Sequence, residues 1–261
     1  MKNTRYIIPN LFTGLNFILG IYAIVITASY FHPFPDSKEM LFGKMPLITA
    51  AWMITWCVLL DKLDGFAAKF FHASSGFGAQ FDSLADLIAF GVAPAVSAYL
   101  YLHYVDLVWS KGHLPLLLVS LTVYALCAAM RLARYNAKDL DELDNYFNGL
   151  PSTFAGGFVA ISIILLEEYQ LIQRFPVFHY YLPLLLVILG GLMISPLLLP
   201  KIGKRKNKVL NVLQILGIAS GYIFGFSMMF PTYLLSILII YGVGGFGYCL
   251  IKKGELDFYK Q

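Results

Sequence analysis

Four aspartates, Asp61, Asp64, Asp82 and Asp86, fall inside otherwise apolar sequence, in the stretch DKLDGFAAKFFHASSGFGAQFDSLAD. An ionised carboxylate in such surroundings costs several kcal/mol unless a partner offsets it. On a helix, Asp61 and Asp64 share one face, as do Asp82 and Asp86, and the short link HASSGFG makes the two helices antiparallel neighbours whose acidic faces can converge. Carboxylates gathered in one pocket repel and raise one another's proton affinity unless a cation neutralises them. Oxygen ligands of this kind suit hard divalent ions such as Mg²⁺, Mn²⁺ or Ca²⁺, and four carboxylates suffice for two metals about 3.5–4 Å apart. Zinc is disfavoured for want of nearby Cys or His. Gly65 directly follows Asp64, and Gly78 lies one turn before Asp82, so both remove bulk beside the metals and let a ligand approach the backbone. Close packing of small residues is the plain structural alternative for the glycines. It leaves the carboxylates unexplained.

The elements that position these groups are membrane helices. Of the 261 residues, 59% are apolar and 13% are charged, and the mean hydropathy is +0.71. That composition excludes a water-soluble enzyme, a disordered regulator and a disulfide scaffold. Cys57, Cys127 and Cys249 lie in apolar runs and read as core residues. A net charge of +4 without a basic stripe gives no sign of nucleic-acid binding. The histidines add nothing decisive.

Membrane-length segments fall at about 7–31, 47–71, 78–103, 114–136, 151–170, 178–199, 208–229 and 231–251. The expected fold is therefore all-α and polytopic, with about eight transmembrane helices, the first a retained span rather than a cleaved signal. The sixth helix could end early or kink around Pro196 and Pro200. An even count puts both termini on one side; fifteen Lys and Arg residues then fall on that side and four on the other, which predicts cytoplasmic termini. The basic stretch Lys201–Lys208 reads as a topology determinant that also touches anionic lipid headgroups.

The pattern Asp61-x₂-Asp64-Gly65-x₂-Ala68-Lys69-x₈-Gly78-x₃-Asp82-x₃-Asp86 resembles the signature of the CDP-alcohol phosphotransferases, integral membrane enzymes of phospholipid synthesis. Lys69 departs from the family's usual arginine, keeping the charge and losing the bidentate fork. Within that family the resemblance runs to the phosphatidylserine synthases. It is carried by Pro9-Asn10-Leu11-Phe12-Thr13 with Asn16 and Gly20, by Asp82 to Asp86 continuing through Phe90-Gly91-Val92-Ala93-Pro94, by Arg131 to Asn136, and by Phe147 to Pro151.

The resemblance implies a six-helix catalytic core, assigned here to residues 1–200, with a polar pocket open to the cytoplasm in the cell (inner) membrane. Residues 201–261 would add a basic loop, two further helices and a short tail. It implies that Asp61, Asp64 and Asp82 hold two Mg²⁺ or Mn²⁺ ions, with Asp86 sharing the second ion and acting as general base. Cytidine diphosphate would lie against Asp61, Asp64, Gly65, Ala68, Lys69 and Gly78, with Asn10 and Thr13 as further contacts. A homodimer is implied on the same ground. The expected reaction moves a phosphatidyl group from CDP-diacylglycerol to L-serine and releases CMP, without a covalent enzyme intermediate. Asp86, a full turn from Asp82, is the better base because metal neutralisation of its neighbours lets its proton affinity be tuned.

L-serine carries its own carboxylate, so a fixed cation is expected near the nucleophile. Arg131 and Arg134 share a face at a helix end and could meet that carboxylate or a lipid phosphate, with Asn136 beside them. They could equally be positive-inside anchors. Two alternatives stay open. One keeps the chemistry with glycerol 3-phosphate, inositol phosphate or choline as acceptor, or with an archaeal ether lipid. The other is a cation- or proton-coupled transporter, which would more usually place its carboxylates near the bilayer midplane within an inverted repeat.

Overall fold

Apolar runs of about 20 residues satisfy their own backbone groups as helices when no water is available, and the fold follows that constraint. The computed structural model describes residues 7–29, 45–70, 75–137, 146–201, 203 and 208–251, without the side chains of 7–9, 64, 66–70 and 209–210. Its long helices are α1 (Ile7–Ser29), α2 (Pro46–Phe70), α3 (Gly76–Asp86) continuing into α4 (Ala93–Val105), α6 (Leu114–Asn136), α7 (Ser152–Glu168), α9 (Tyr181–Ile194), α10 (Lys208–Phe226) and α11 (Pro231–Ile251). Short helices α5 (Leu107–Gly112) and α8 (Leu171–Arg174) lie between them.

Each of the eight expected segments contains a helix, and six stretches are long and apolar enough to cross a membrane: Asn10–Ser29, Pro46–Leu63, Gly76–Val105, Leu114–Asn136, Pro176–Ile194 and Pro231–Ile251. Helix α7 stops at 17 residues, 13 of them buried among its neighbours. The apolar part of α10, Asn211–Phe226, is also shorter than a full span. Large apolar side chains such as Leu11, Ile240 and Val243 are exposed around the bundle, as a lipid-facing surface requires. The three cysteines are buried and free.

Helix α1 packs along α2, α6 along α9, and α2 against α7, with α10 on α2 and α11 on α7. Trp52, Phe90, Tyr101 and Tyr124 are the largest fully buried side chains. The outermost helices are tied on by hydrogen bonds that the sequence does not foretell. Trp56 Nε1 donates to Gly225 O at 3.1 Å, Tyr222 OH to Leu59 O at 3.0 Å, and Tyr241 OH to Pro200 O at 2.9 Å.

Two departures from regular helix shape the site. Between α3 and α4 the chain widens into a π-helix, Leu87–Val92, where Ala93 N–H bonds Ile88 O, five residues back. Pro94 explains it. Proline has no N–H for the carbonyl of Phe90 four residues earlier and its ring crowds that oxygen, so the turn opens, and Tyr124 OH donates to the stranded Phe90 O at 2.8 Å. The sixth helix ends at Ile194 because Ser195, preceding Pro196, is extended, with ψ of 154°. The chain then forms β2 (Leu198–Pro200), which pairs antiparallel with β1 (Tyr146–Asn148), Phe147 opposite Leu199. This small sheet corrects the purely helical expectation for residues up to 199.

At the bundle end opposite the aspartates, Asp106 caps α5 by accepting from Trp109 N–H at 2.9 Å. That bond, with His179 Nε2 at 3.2 Å, holds the Asp106 carboxyl below the usual carboxylate range. Trp109 stacks on His113 and tilts against His179, a structural use for these two histidines.

Candidate active site

Asp61 sits near the end of α2, and Asp82 and Asp86 on successive turns of α3, immediately before the π-helix. Each offers a carboxylate oxygen, and the three oxygens lie within 4.8 Å of one another. The two helices converge as their spacing predicts. Asp86 is 8% exposed and the Asp61 side chain 12%, so water does little to separate these charges.

Among the described residues, few groups balance them. Lys62 Nζ is 3.4 Å from Asp61 Oδ2, but its side chain is 58% exposed and such a pair is weak. Thr153 donates its hydroxyl to Asp61 Oδ2 at 3.2 Å. Asp82 Oδ1 is buried without a hydrogen-bond partner. Three acidic oxygens, with a buried Asp82 oxygen lacking a hydrogen-bond partner, form a donor set that fits a hard divalent cation. Asp64, Ala68 and Lys69 belong to the backbone of α2, and their side chains lie outside the described residues.

Helix α1 runs beside α3 in the same direction. A Cβ at Gly78 would come within 3.2 Å of Asn10 Oδ1, and one at Gly20 within 3.0 Å of the Ala89 backbone. Asn10 therefore faces Gly78, and Thr13, one turn on, is buried. Gly65 is different: it is exposed, and a Cβ there would meet nothing within 4 Å among the described residues. Close helix packing explains Gly78; Gly65 has no such neighbour among the described residues.

The start of α7 completes the site. Arg131, on α6, donates from Nη1 to Ser152 Oγ at 3.0 Å; its Nε is buried without a partner, and both Asp86 and Asp61 are within electrostatic range. Arg134 is engaged elsewhere: its Nη1 bonds Ile194 O at 3.2 Å, and its Nη2 bonds Asn148 O at 3.1 Å and Met193 O at 3.4 Å. It clamps the β1–α7 connection to the end of α9. Gly149 allows that contact, because its φ is +76° and a side chain would strike the carbonyls of Leu192, Met193 and Ser195. Leu150 N–H then bonds Leu192 O at 2.9 Å, which sets where Ser152 and Thr153 emerge. Asn136 exchanges hydrogen bonds with Ser83 at 2.9 and 3.1 Å and reaches Gln80 at 3.5 Å, joining α6 to α3 on the flank of the cluster. Ser152 and Thr153 are the residues that sequence reasoning missed. Their partners lie 21 and 92 residues away, and locally they read as ordinary helix-start residues.

Residues 6–194, from α1 to the end of α9, match the family model described as CDP-alcohol phosphatidyltransferase. The chain belongs to this family. It is an integral membrane enzyme whose family chemistry fits an acidic site at one end of a helix bundle. Similar proteins include a CDP-diacylglycerol–serine O-phosphatidyltransferase of Helicobacter pylori, 29% identical over 251 residues, covering 96% of this chain and 95% of that protein. A protein of the same name from Methanocaldococcus jannaschii is 29% identical over 204 residues, covering 76% of this chain and 83% of its own. Another, from Bacillus subtilis, is 33% identical over 151 residues, covering 57% of this chain and 71% of its own.

Proposed function

We propose that the protein transfers the phosphatidyl group of CDP-diacylglycerol to the hydroxyl of L-serine, giving phosphatidylserine and CMP. The observation that carries this reading is that, among the described residues, one cation with a buried nitrogen, Arg131, stands within electrostatic range of Asp61 and Asp86 in the acidic cluster. A zwitterionic acceptor brings one carboxylate and needs one such cation, whereas a phosphorylated acceptor needs more. Arg134, already bonded to three main-chain carbonyls, is poorly placed to be the second. Relatives that carry the serine-transferase name over nearly their whole length support the same acceptor.

In this reading Asp61, Asp64, Asp82 and Asp86 hold two divalent ions, Mg²⁺ or Mn²⁺. When bound, they supply neutralisation of the diphosphate and of the departing CMP. The remaining work belongs to the chain. Asp86 accepts the serine hydroxyl proton as that oxygen forms a bond to the phosphorus bearing the lipid. The bond from that phosphorus to the bridging oxygen breaks, and its electron pair leaves with CMP. Arg131, steadied by Ser152, holds the serine carboxylate, with Asn136 on the flank, and Thr153 fixes the Asp61 rotamer. Gly65, Ala68, Lys69, Gly78, Asn10 and Thr13 receive the cytidine diphosphate. We further propose that residues 1–200 form the catalytic core and 201–261 an addition, that both termini and the site face the cytoplasm, and that the enzyme is a homodimer in the cell membrane.

The test is CMP release from CDP-diacylglycerol by purified protein given L-serine, glycerol 3-phosphate or inositol phosphate in parallel. Release with serine at least about 100-fold faster than with either phosphorylated alcohol is expected. Preference for a phosphorylated alcohol would overturn the acceptor while keeping the family.

A further inference from the structure

Asn16 is fully buried on α1, and neither its amide nitrogen nor its amide oxygen has a hydrogen-bond partner. A primary amide can make about four hydrogen bonds, so leaving all of them unmade in the protein interior is costly. Such a group in a native fold calls for a reason.

Its place in the bundle supplies one. Asn16 follows Asn10 and Thr13 on one stripe of α1 and precedes Gly20 on the same stripe. That stripe runs along α3, from Asn10 at Gly78 to Gly20 at Ala89, so Asn16 falls at the level of Asp82 and Asp86. On its other side, Cys57 donates its thiol to Asn16 O at 3.5 Å, and Cys57 lies one helical turn before Asp61 on α2. Two more buried atoms in this region are also unpartnered, Asp82 Oδ1 on α3 and Arg131 Nε on α6. The Asp82 oxygen belongs to the cation's donor set, which leaves the Asn16 amide on α1 and Arg131 Nε on α6, both flanking the acidic cluster, with hydrogen bonds that a polar ligand would complete.

We propose that Asn16 is an acceptor-binding residue. Its amide makes hydrogen bonds only when the alcohol substrate is present, donating from Nδ2 and accepting at Oδ1 so that the reacting hydroxyl is turned toward Asp86. The ligand class is a small, zwitterionic alcohol, and the inference rests on the serine-transfer reading above. A neutral amide suits that class: it adds a donor and an acceptor at the inner end of the pocket without adding a charge to the carboxylates.

Asn16→Leu tests this, since leucine is similar in shape and brings no polar atom. The ligand-free variant should unfold in detergent at the same temperature as the wild type or higher, because the amide had no partner to lose. The KM for L-serine should rise about tenfold or more, with the KM for CDP-diacylglycerol within about threefold of the wild type. Serine should also lose its protection of the protein against thermal unfolding. Asn16→Ala, which cannot overpack the site, should show the same split in KM and keeps the test valid if the leucine variant fails to fold. Unchanged serine kinetics in both variants would overturn the proposal. So would a loss confined to the KM for CDP-diacylglycerol, which would move Asn16 to the nucleotide side. A wild type that releases CMP with a phosphorylated alcohol alone would instead bring down the serine reading, and this inference with it.

Discussion

Asp86→Asn is expected to lower serine-dependent CMP release by about 10³-fold, within the range that general-base catalysis contributes. The substitution keeps shape and hydrogen-bonding capacity but cannot take up the serine proton. It also removes one charge from a cluster whose three oxygens lie within 4.8 Å. Relief of like-charge repulsion should leave the metal-free variant as resistant to thermal unfolding as the wild type, or more so. Binding of a CDP nucleotide should survive, because Gly65, Gly78 and Asn10 are untouched. Steady-state rates, unfolding midpoints and nucleotide titrations on the same preparation separate these effects. A variant that kept more than about a tenth of the wild-type rate would place the base elsewhere.

Arg131→Gln carries the second large effect. The guanidinium is half-buried, within electrostatic range of Asp86 and Asp61, and tied to Ser152 at 3.0 Å. Removing one partner of a desolvated charge pair typically costs 30-fold to several thousandfold in affinity, so the KM for L-serine should rise about 100-fold. The KM for CDP-diacylglycerol should change little. Arg131→Lys should fall between the two, since an ammonium keeps the charge and loses the planar fork. Measured serine dependence in the three proteins decides the matter, and an unchanged serine KM in Arg131→Gln would make this arginine a purely structural link from α6 to α7.

The helices were legible because their signal is local: a run of about 20 apolar residues needs no knowledge of its neighbours. The convergence of Asp61 with Asp82 and Asp86 was legible too, since a four-residue separation on one helix and a short link to the next fix the geometry. Ser152, Thr153 and Asn16 were not. Each owes its surroundings to chain that is distant in sequence, and a serine or threonine at a helix start, or an asparagine in an apolar helix, has many ordinary explanations. The π-helix was readable in principle, because Pro94 strands the carbonyl of Phe90, but the donor that rescues it, Tyr124, lies 34 residues away. The strands β1 and β2 have three residues each, too few to establish a period-two pattern. Arg134 shows the limit most plainly: its spacing from Arg131 suggested a shared ligand, and tertiary structure turned it to the carbonyls that end α9.

The most direct measurement is the rate of phosphatidylserine and CMP formation by the purified wild type as divalent cation is removed and restored. With CDP-diacylglycerol and L-serine saturating, a chelator should reduce the rate at least about 100-fold, and Mn²⁺ or Mg²⁺ in excess should restore it. Serine-dependent product formation that continues undiminished in chelator would contradict the account, because the carboxylates of Asp61, Asp82 and Asp86 would then be gathered for something other than holding the catalytic cation.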